Sequence, residues 1–134
     1  MKAIIGVIDF GMGNIQSVIN GFQAIGKKVI KVDSPASLSE LDGIVLPGVG
    51  AFAQGMKNLK KTGFDNALKE EVLIKKKPFL GICLGLQLLA TNGYEFGESS
   101  GLDWIKGKVE LMKGDSDNKN VRIPHIGWNN LKNF

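Results

Sequence analysis

The chain is poor in the side chains that do most enzyme chemistry: it has one cysteine, Cys83, and one histidine, His125. A single cysteine excludes an internal disulfide. It fits a reducing, cytoplasmic setting and leaves a free thiol to be explained. No apolar run approaches the ~20 residues that a membrane-spanning helix needs. The opening run, Met1 to Asp9, is too short for a signal-peptide core with a cleavage site, and it ends in an acid; it reads as a first strand. Internal repeats and low-complexity segments are also lacking. Basic residues outnumber acidic ones only 17 to 13, for a net charge of +4, and they do not gather on one face. The densest run, Lys75-Lys76-Lys77, stands just before a buried strand and reads as a solvated loop. Neither a nucleic acid nor a membrane is therefore expected as a partner, and no metal or cofactor is expected either.

What is present is ordinary for a folded protein. The 134 residues are 43% hydrophobic and 22% charged, which fits one globular domain with a real core. Ala3 to Ile8 is a continuous apolar run of the kind found in a strand covered on both faces. A glycine-bearing turn, Asp9-Phe10-Gly11-Met12-Gly13-Asn14, follows it, with Asn14 placed to cap a helix. Ile15, Val18, Ile19, Phe22 and Ile25 keep helical spacing up to Gly26. Lys28 to Val32 and Gly43 to Leu46 read as two more strands, and Leu38 to Leu41 as one helical turn between them. Phe52 to Thr62 and Phe64 to Lys75 read as helices, the second with an apolar stripe of Phe64, Leu68 and Val72. Pro78 then opens a strand into Cys83, and Leu84 to Thr91 reads as the helix after it. Beyond a loop from Asn92 to Gly101, Lys108 to Met112 alternates as an antiparallel strand does. Another strand begins at Val121 and stops at Pro124. The pattern predicts an α/β fold, a mostly parallel sheet with helices on both faces. In such sheets ligands bind at the carboxyl ends of the strands, so the turns after Ile8, Leu46 and Ile82 should meet at one edge.

The stretch from Pro78 to Leu89 carries the chemistry. Cys83 stands at a strand-to-helix turn, with Gly81 and Gly85 two residues to either side. A sharp turn of this kind presents a nucleophile. Its glycines remove side chains where the backbone turns tightly and a substrate must come close. The helix N-terminus favours a thiolate. Attack on a carbonyl makes an oxyanion, which backbone N–H groups must meet. The N–H of Leu84 is one candidate donor, and the turn Gly48-Val49-Gly50 is the other source. That turn is not a phosphate-binding loop, because no Gly-Lys-Ser/Thr follows it. Gln87 lies one helical turn past Cys83 and can face the same site.

Four motifs in order resemble those of class I (triad) glutamine amidotransferases: Asp9-Phe10-Gly11-Met12-Gly13-Asn14, Pro47-Gly48-Val49-Gly50-Ala51-Phe52, Gly81-Ile82-Cys83-Leu84-Gly85-Leu86-Gln87 and Pro124-His125-Ile126-Gly127-Trp128-Asn129. Within that family they are most similar to the glutaminase subunits of imidazole glycerol phosphate synthase in histidine biosynthesis. The resemblance implies a flavodoxin-like fold and a glutamine substrate. Cys83 would attack the side-chain amide, forming a γ-glutamyl thioester and releasing ammonia. Gly50 and Leu84 would border the oxyanion hole, and Gln87 and Gly48 would contact the glutamine. Asn14 and Trp128 would face a synthase partner, a cyclase (β/α)8 barrel that receives the ammonia.

The resemblance also implies a triad His and Glu downstream of these residues. The 134 residues are then expected to be the N-terminal two thirds of such a domain, with little activity alone. His125 belongs to a different motif and is not promoted to base. The segment Gly101-Leu102-Asp103-Trp104-Ile105-Lys106-Gly107 departs from the commoner histidine-pathway pattern. Relatives that amidate sugars for surface polysaccharides are therefore an alternative, and the triad residues expected downstream leave a truncated, non-catalytic partner-binding module as another.

Overall fold

The computed structural model describes residues 3–112, 123, 124, 126–130 and 132. Its centre is a four-stranded parallel sheet of β1 (Ile5–Ile8), β2 (Val29–Val32), β3 (Gly43–Gly48) and β4 (Phe79–Cys83), in the order β2-β1-β3-β4. Strand alternation sorts the apolar side chains onto two faces. Val7, Val29 and Val45 pack against Ile15, Val18, Ile19 and Phe22 of helix α1 (Ile15–Ala24). On the other face Ile8, Val32, Ile44 and Leu46 form a core with Phe52, Met56 and Leu59 of α2 (Phe52–Thr62) and Phe64 and Leu68 of α3 (Phe64–Leu68). The fold is thus α/β with helices on both faces.

Asn14 caps α1, its Oδ1 accepting from Ser17 N at 3.2 Å. The turn between β2 and β3 is a 3-10 helix, Pro35–Glu40. Gly63, at φ 78°, breaks the chain between α2 and α3.

Three local expectations are corrected. The segment from Phe64 to Lys75 is not one α-helix, because after α3 it widens into a π-helix at Lys69–Ile74. The helix after Cys83 does not reach Thr91. It is one turn, α4 (Leu84–Gln87), and Ala90–Gly93 then forms β5 of a second, small sheet. That sheet has the order β6-β5-β7, with β6 at Ser99–Ser100 and β7 at Ile105–Val109. β7 lies parallel to β5, not antiparallel, and only β6 pairs with it in the opposite sense. Alternation identifies a strand but not its direction, and here the hairpin through β6 turns the chain twice before β7 joins. The strand expected from Val121 begins outside the described residues.

The π-helix carries Glu71 inward, with its side chain only 6% exposed. There Lys75 and Lys77 each reach it at 2.8 Å. Lys77 Nζ also donates to the carbonyls of Leu38 and Ser39 at 2.7 and 2.8 Å. One ammonium thus ties the 3-10 turn and the π-helix to the segment leading into β4. Lys77→Met should destabilise the fold by about 2–3 kcal/mol, because it leaves a buried carboxylate short of a partner and two carbonyls unpaired. Hydrogen bonds from Lys75, then Lys77, hold the Glu71 carboxyl below its usual range. The stability this supplies is present above the ordinary glutamate pKa and is lost as pH falls through the lowered one. Urea unfolding should therefore show the gap between parent and variant at neutral pH and its narrowing in acid. A gap that stayed constant into acid would contradict the pairing.

Candidate active site

The three turns predicted to converge do so. β3 and β4 run in parallel register, with Gly48 directly opposite Cys83. The turn after β1 reaches the same edge, where Val49 N donates to Met12 O at 3.2 Å. This first turn is itself held by Asp9, whose carboxylate accepts from Gly11 N at 3.1 Å and pairs with Lys31 at 2.8 Å. The bond from Lys31, then that from Gly11, keeps the Asp9 carboxyl below its usual value. Asn58 of α2 donates to Phe10 O at 3.3 Å and braces the turn from the other side.

Cys83 ends β4 and stands at the cap position of α4 with φ 53° and ψ −119°, and it is exposed. A left-handed φ at a non-glycine residue costs of order 1–3 kcal/mol, so the surrounding packing must hold it. The glycines explain how. A Cβ at Gly81 would lie 2.8–3.0 Å from the backbone of Gly85 and Leu86. A Cβ at Gly48 would lie 3.0 Å from Leu84 Cβ and 3.2 Å from Gly85 N. A Cβ at Gly85 would overlap the Leu46 carbonyl oxygen. β3 and the elbow are therefore in backbone-to-backbone contact, which only glycine permits at these positions.

Leu84 is buried and is the first residue of α4. Its N–H has no acceptor within a helix that starts there, and it follows the thiol directly. Because α4 is one turn long, it offers the site this first-turn donor rather than a long axial dipole. Gly50 has φ 113°, and a Cβ there would lie 2.7 Å from Met12 Cε. The adjoining Val49 is 55% exposed, and its N–H is already engaged by Met12. Gln87 ends α4 and is exposed. Asn14 stands at the same edge, with its side chain turned to its own helix as a cap. Trp128 is fully exposed, and His125 lies outside the described residues.

The structure adds two participants that sequence reasoning missed. One is the Met12 carbonyl, a backbone group with no sequence signature. The other is Glu95, whose Oε2 accepts from Phe52 N at 2.9 Å. A weak signal existed for it: Ala51, the cap position of α2, has no side-chain acceptor, so one had to come from elsewhere. The cavities found among the described residues lie away from Cys83. One of about 720 Å³, lined by residues such as Ile4, Phe22, Ile25 and Ile30, lies by the C-terminal end of α1 and the N-terminal ends of β1 and β2. Among the described residues no group of three or more His, Cys, Asp or Glu could hold a metal, and no helix is long and apolar enough to cross a membrane.

Comparison with known proteins agrees with the geometry. A solved structure described as a glutamine amidotransferase superposes with a TM-score of 0.62 over 73% of this chain and 51% of its own, at 19% identity, and so supports the fold. Imidazole glycerol phosphate synthase subunit HisH 1 of Campylobacter jejuni is 47% identical over 129 residues, which are 96% of this chain and 63% of that protein. Subunit HisH of Aquifex aeolicus is 48% identical over 93% of this chain and 58% of its own length. Subunit HisH 2 of Vibrio vulnificus is 45% identical over 98% and 59%. The chain thus spans about three fifths of the length of these curated relatives. The family model for glutamine amidotransferase class-I matches residues 6–133, nearly the whole chain. By that match the chain belongs to the class-I glutamine amidotransferases.

Proposed function

We propose that this chain carries the nucleophilic half of a glutaminase that feeds ammonia to a synthase making imidazole glycerol phosphate in histidine biosynthesis. The observation that carries the reading is Cys83 in a strained elbow directly opposite Gly48, the first residue of the Gly-Val-Gly turn. The thiolate sulfur attacks the side-chain amide carbon of glutamine, and the carbonyl oxygen becomes an oxyanion. Collapse expels the amide nitrogen, which leaves as ammonia on gaining a proton, and a γ-glutamyl thioester remains on Cys83. Water then hydrolyses the thioester to glutamate and frees the thiol.

The Leu84 N–H is placed to meet the oxyanion beside the nucleophile. The second donor comes from the turn at Gly48 to Gly50. Its Val49 N–H is bound to Met12 O, so that peptide must turn over before it can serve, and the flanking glycines let it do so. Gln87 and Gly48 would hold the substrate. Asn14 and Trp128, both exposed, would face the cyclase barrel; the names of the relatives, each a subunit of a synthase, support a synthase partner. A cytoplasmic location is consistent with the free thiol.

Proton transfer is the part these residues do not supply. The single imidazole is His125, and its motif is not the one that carries the triad base in the family pattern. Without a group to protonate the leaving ammonia and activate water, turnover falls by roughly 10²–10⁴-fold. One sample tests both halves of the reading. A chloroketone analogue of glutamine should alkylate Cys83, while steady-state release of glutamate from glutamine stays near background. No alkylation would overturn the nucleophile, and rapid turnover by these 134 residues would overturn the missing shuttle.

A further inference from the structure

We propose that Glu95 is a positioning residue for the oxyanion turn, capping the N-terminus of α2 with its side chain from the loop between β5 and β6. The inference rests on the glutaminase reading and adds to it a residue that no motif contains. The oxyanion turn runs directly into α2: Gly50 is followed by Ala51 at the cap position and by Phe52 as the first helical residue. The first intrahelical bond is Gly55 N to Ala51 O at 2.9 Å, so the N–H groups of Phe52, Ala53 and Gln54 begin without helical acceptors. Ala51 has no side chain to satisfy them.

Glu95, 43 residues away, takes the first of them through Oε2 at 2.9 Å. A carboxylate is the favoured partner at a helix N-terminus. The contact is built from both sides. Gly93 in β5 lies against the Phe52 ring, where a Cβ would come within 2.5–2.7 Å of three ring carbons. From the other strand-end segment, a Cβ at Gly101 would come within 3.0 Å of the same ring. Gly93 of β5 and the segments flanking β6 therefore hold Phe52 by its ring and by its N–H, and so fix the trailing end of the turn whose leading end, Gly48, is fixed opposite Cys83. Between the two anchors lie only Val49, Gly50 and Ala51. That confines any reorientation to the peptides that meet the oxyanion.

The test compares Glu95→Ala and Glu95→Gln in the full 134-residue chain. Alkylation of Cys83 by the glutamine chloroketone, which needs the oxyanion donors, is measured beside alkylation by iodoacetamide, which does not. Glu95→Ala should slow the first about tenfold and leave the second within about threefold. Glu95→Gln keeps an acceptor of similar reach and should restore the chloroketone rate to within about threefold of the parent. Amide exchange at Phe52 should quicken about tenfold in the alanine variant only, with β1 and β3 amides unchanged as the fold control.

A parental chloroketone rate in Glu95→Ala would overturn the proposal. So would a glutamine variant as slow as the alanine one with Phe52 exchange unchanged, because Glu95 would then act by its charge on the substrate. If the parent chain itself is not alkylated, the glutaminase reading fails, while the exchange measurement still reports on the cap.

Discussion

Cys83→Ser should abolish alkylation by a glutamine chloroketone, lowering its rate about a hundredfold or more, while the fold survives. A thiol is intrinsically nucleophilic, whereas a serine hydroxyl depends on an adjacent base. The residues that would supply such a base are not among the described neighbours of Cys83. The substitution is close to isosteric. The unusual φ of 53° belongs to the backbone and is held by Gly81, Gly85 and β3, so serine neither relieves nor worsens it. Melting within a few degrees of the parent, together with lost alkylation, assigns the reactivity to the sulfur. Alkylation of the serine variant at the parental rate would show that the analogue reacts elsewhere.

Gly85→Ala should have the opposite signature, a damaged fold as well as a lost reaction. The added methyl would occupy the space of the Leu46 carbonyl oxygen and lie 2.8 Å from its carbon. Neither atom can swing away, because Leu46 is a central residue of β3, paired with Gly81 on one side and fully buried. Overpacking against a side chain costs about 1–3 kcal/mol. Against backbone on both sides the cost should reach the top of that range or exceed it, lowering Tm by on the order of 10 °C. Gly21→Ala, on the exposed part of α1 where a Cβ meets nothing within 4 Å, is the matched control and should stabilise slightly through lower unfolded-state entropy. Thermal unfolding of the two variants checks this. A Gly85→Ala chain as stable as the parent would mean that the strand and elbow are not in backbone contact.

The parts of the site legible in the sequence were those whose cause is local. Gly81 and Gly85 around Cys83 announce a tight turn because the glycines and the reactive residue are within two positions of each other. β1 and β3 were legible because buried parallel strands are continuous apolar runs, whereas β4, expected to be buried as well, ends the strand order and has no buried residue. Their order then brought the turns after Ile8, Leu46 and Ile82 to one edge without further information.

The misreadings have non-local causes. Leu84, Leu86, Leu88 and Leu89 satisfy a helix and a strand about equally. What ends α4 after one turn is the second sheet, which takes Ala90–Gly93 as a strand and seats Gly93 over Phe52. The run Lys75-Lys76-Lys77 read as a solvated loop after an α-helix from Phe64 to Lys75. The π-helix instead turns Glu71 inward, and Lys77 follows it, at 16% exposure. Glu95 sits in a stretch that reads only as loop, and its role depends on an N–H 43 residues earlier. The Met12 carbonyl that engages Val49 N has no side chain to read at all.

The most direct test of the central claim, that the elbow at Cys83 is shaped for the side-chain amide of glutamine, is site-resolved alkylation with competition. The chain is treated with the glutamine chloroketone in increasing glutamine, and the modified residue is identified by peptide mass spectrometry. The account predicts modification at Cys83 alone, slowed competitively by glutamine and not by asparagine, whose amide falls one methylene short. Modification that glutamine leaves unslowed, or that glutamine and asparagine slow equally, would contradict it.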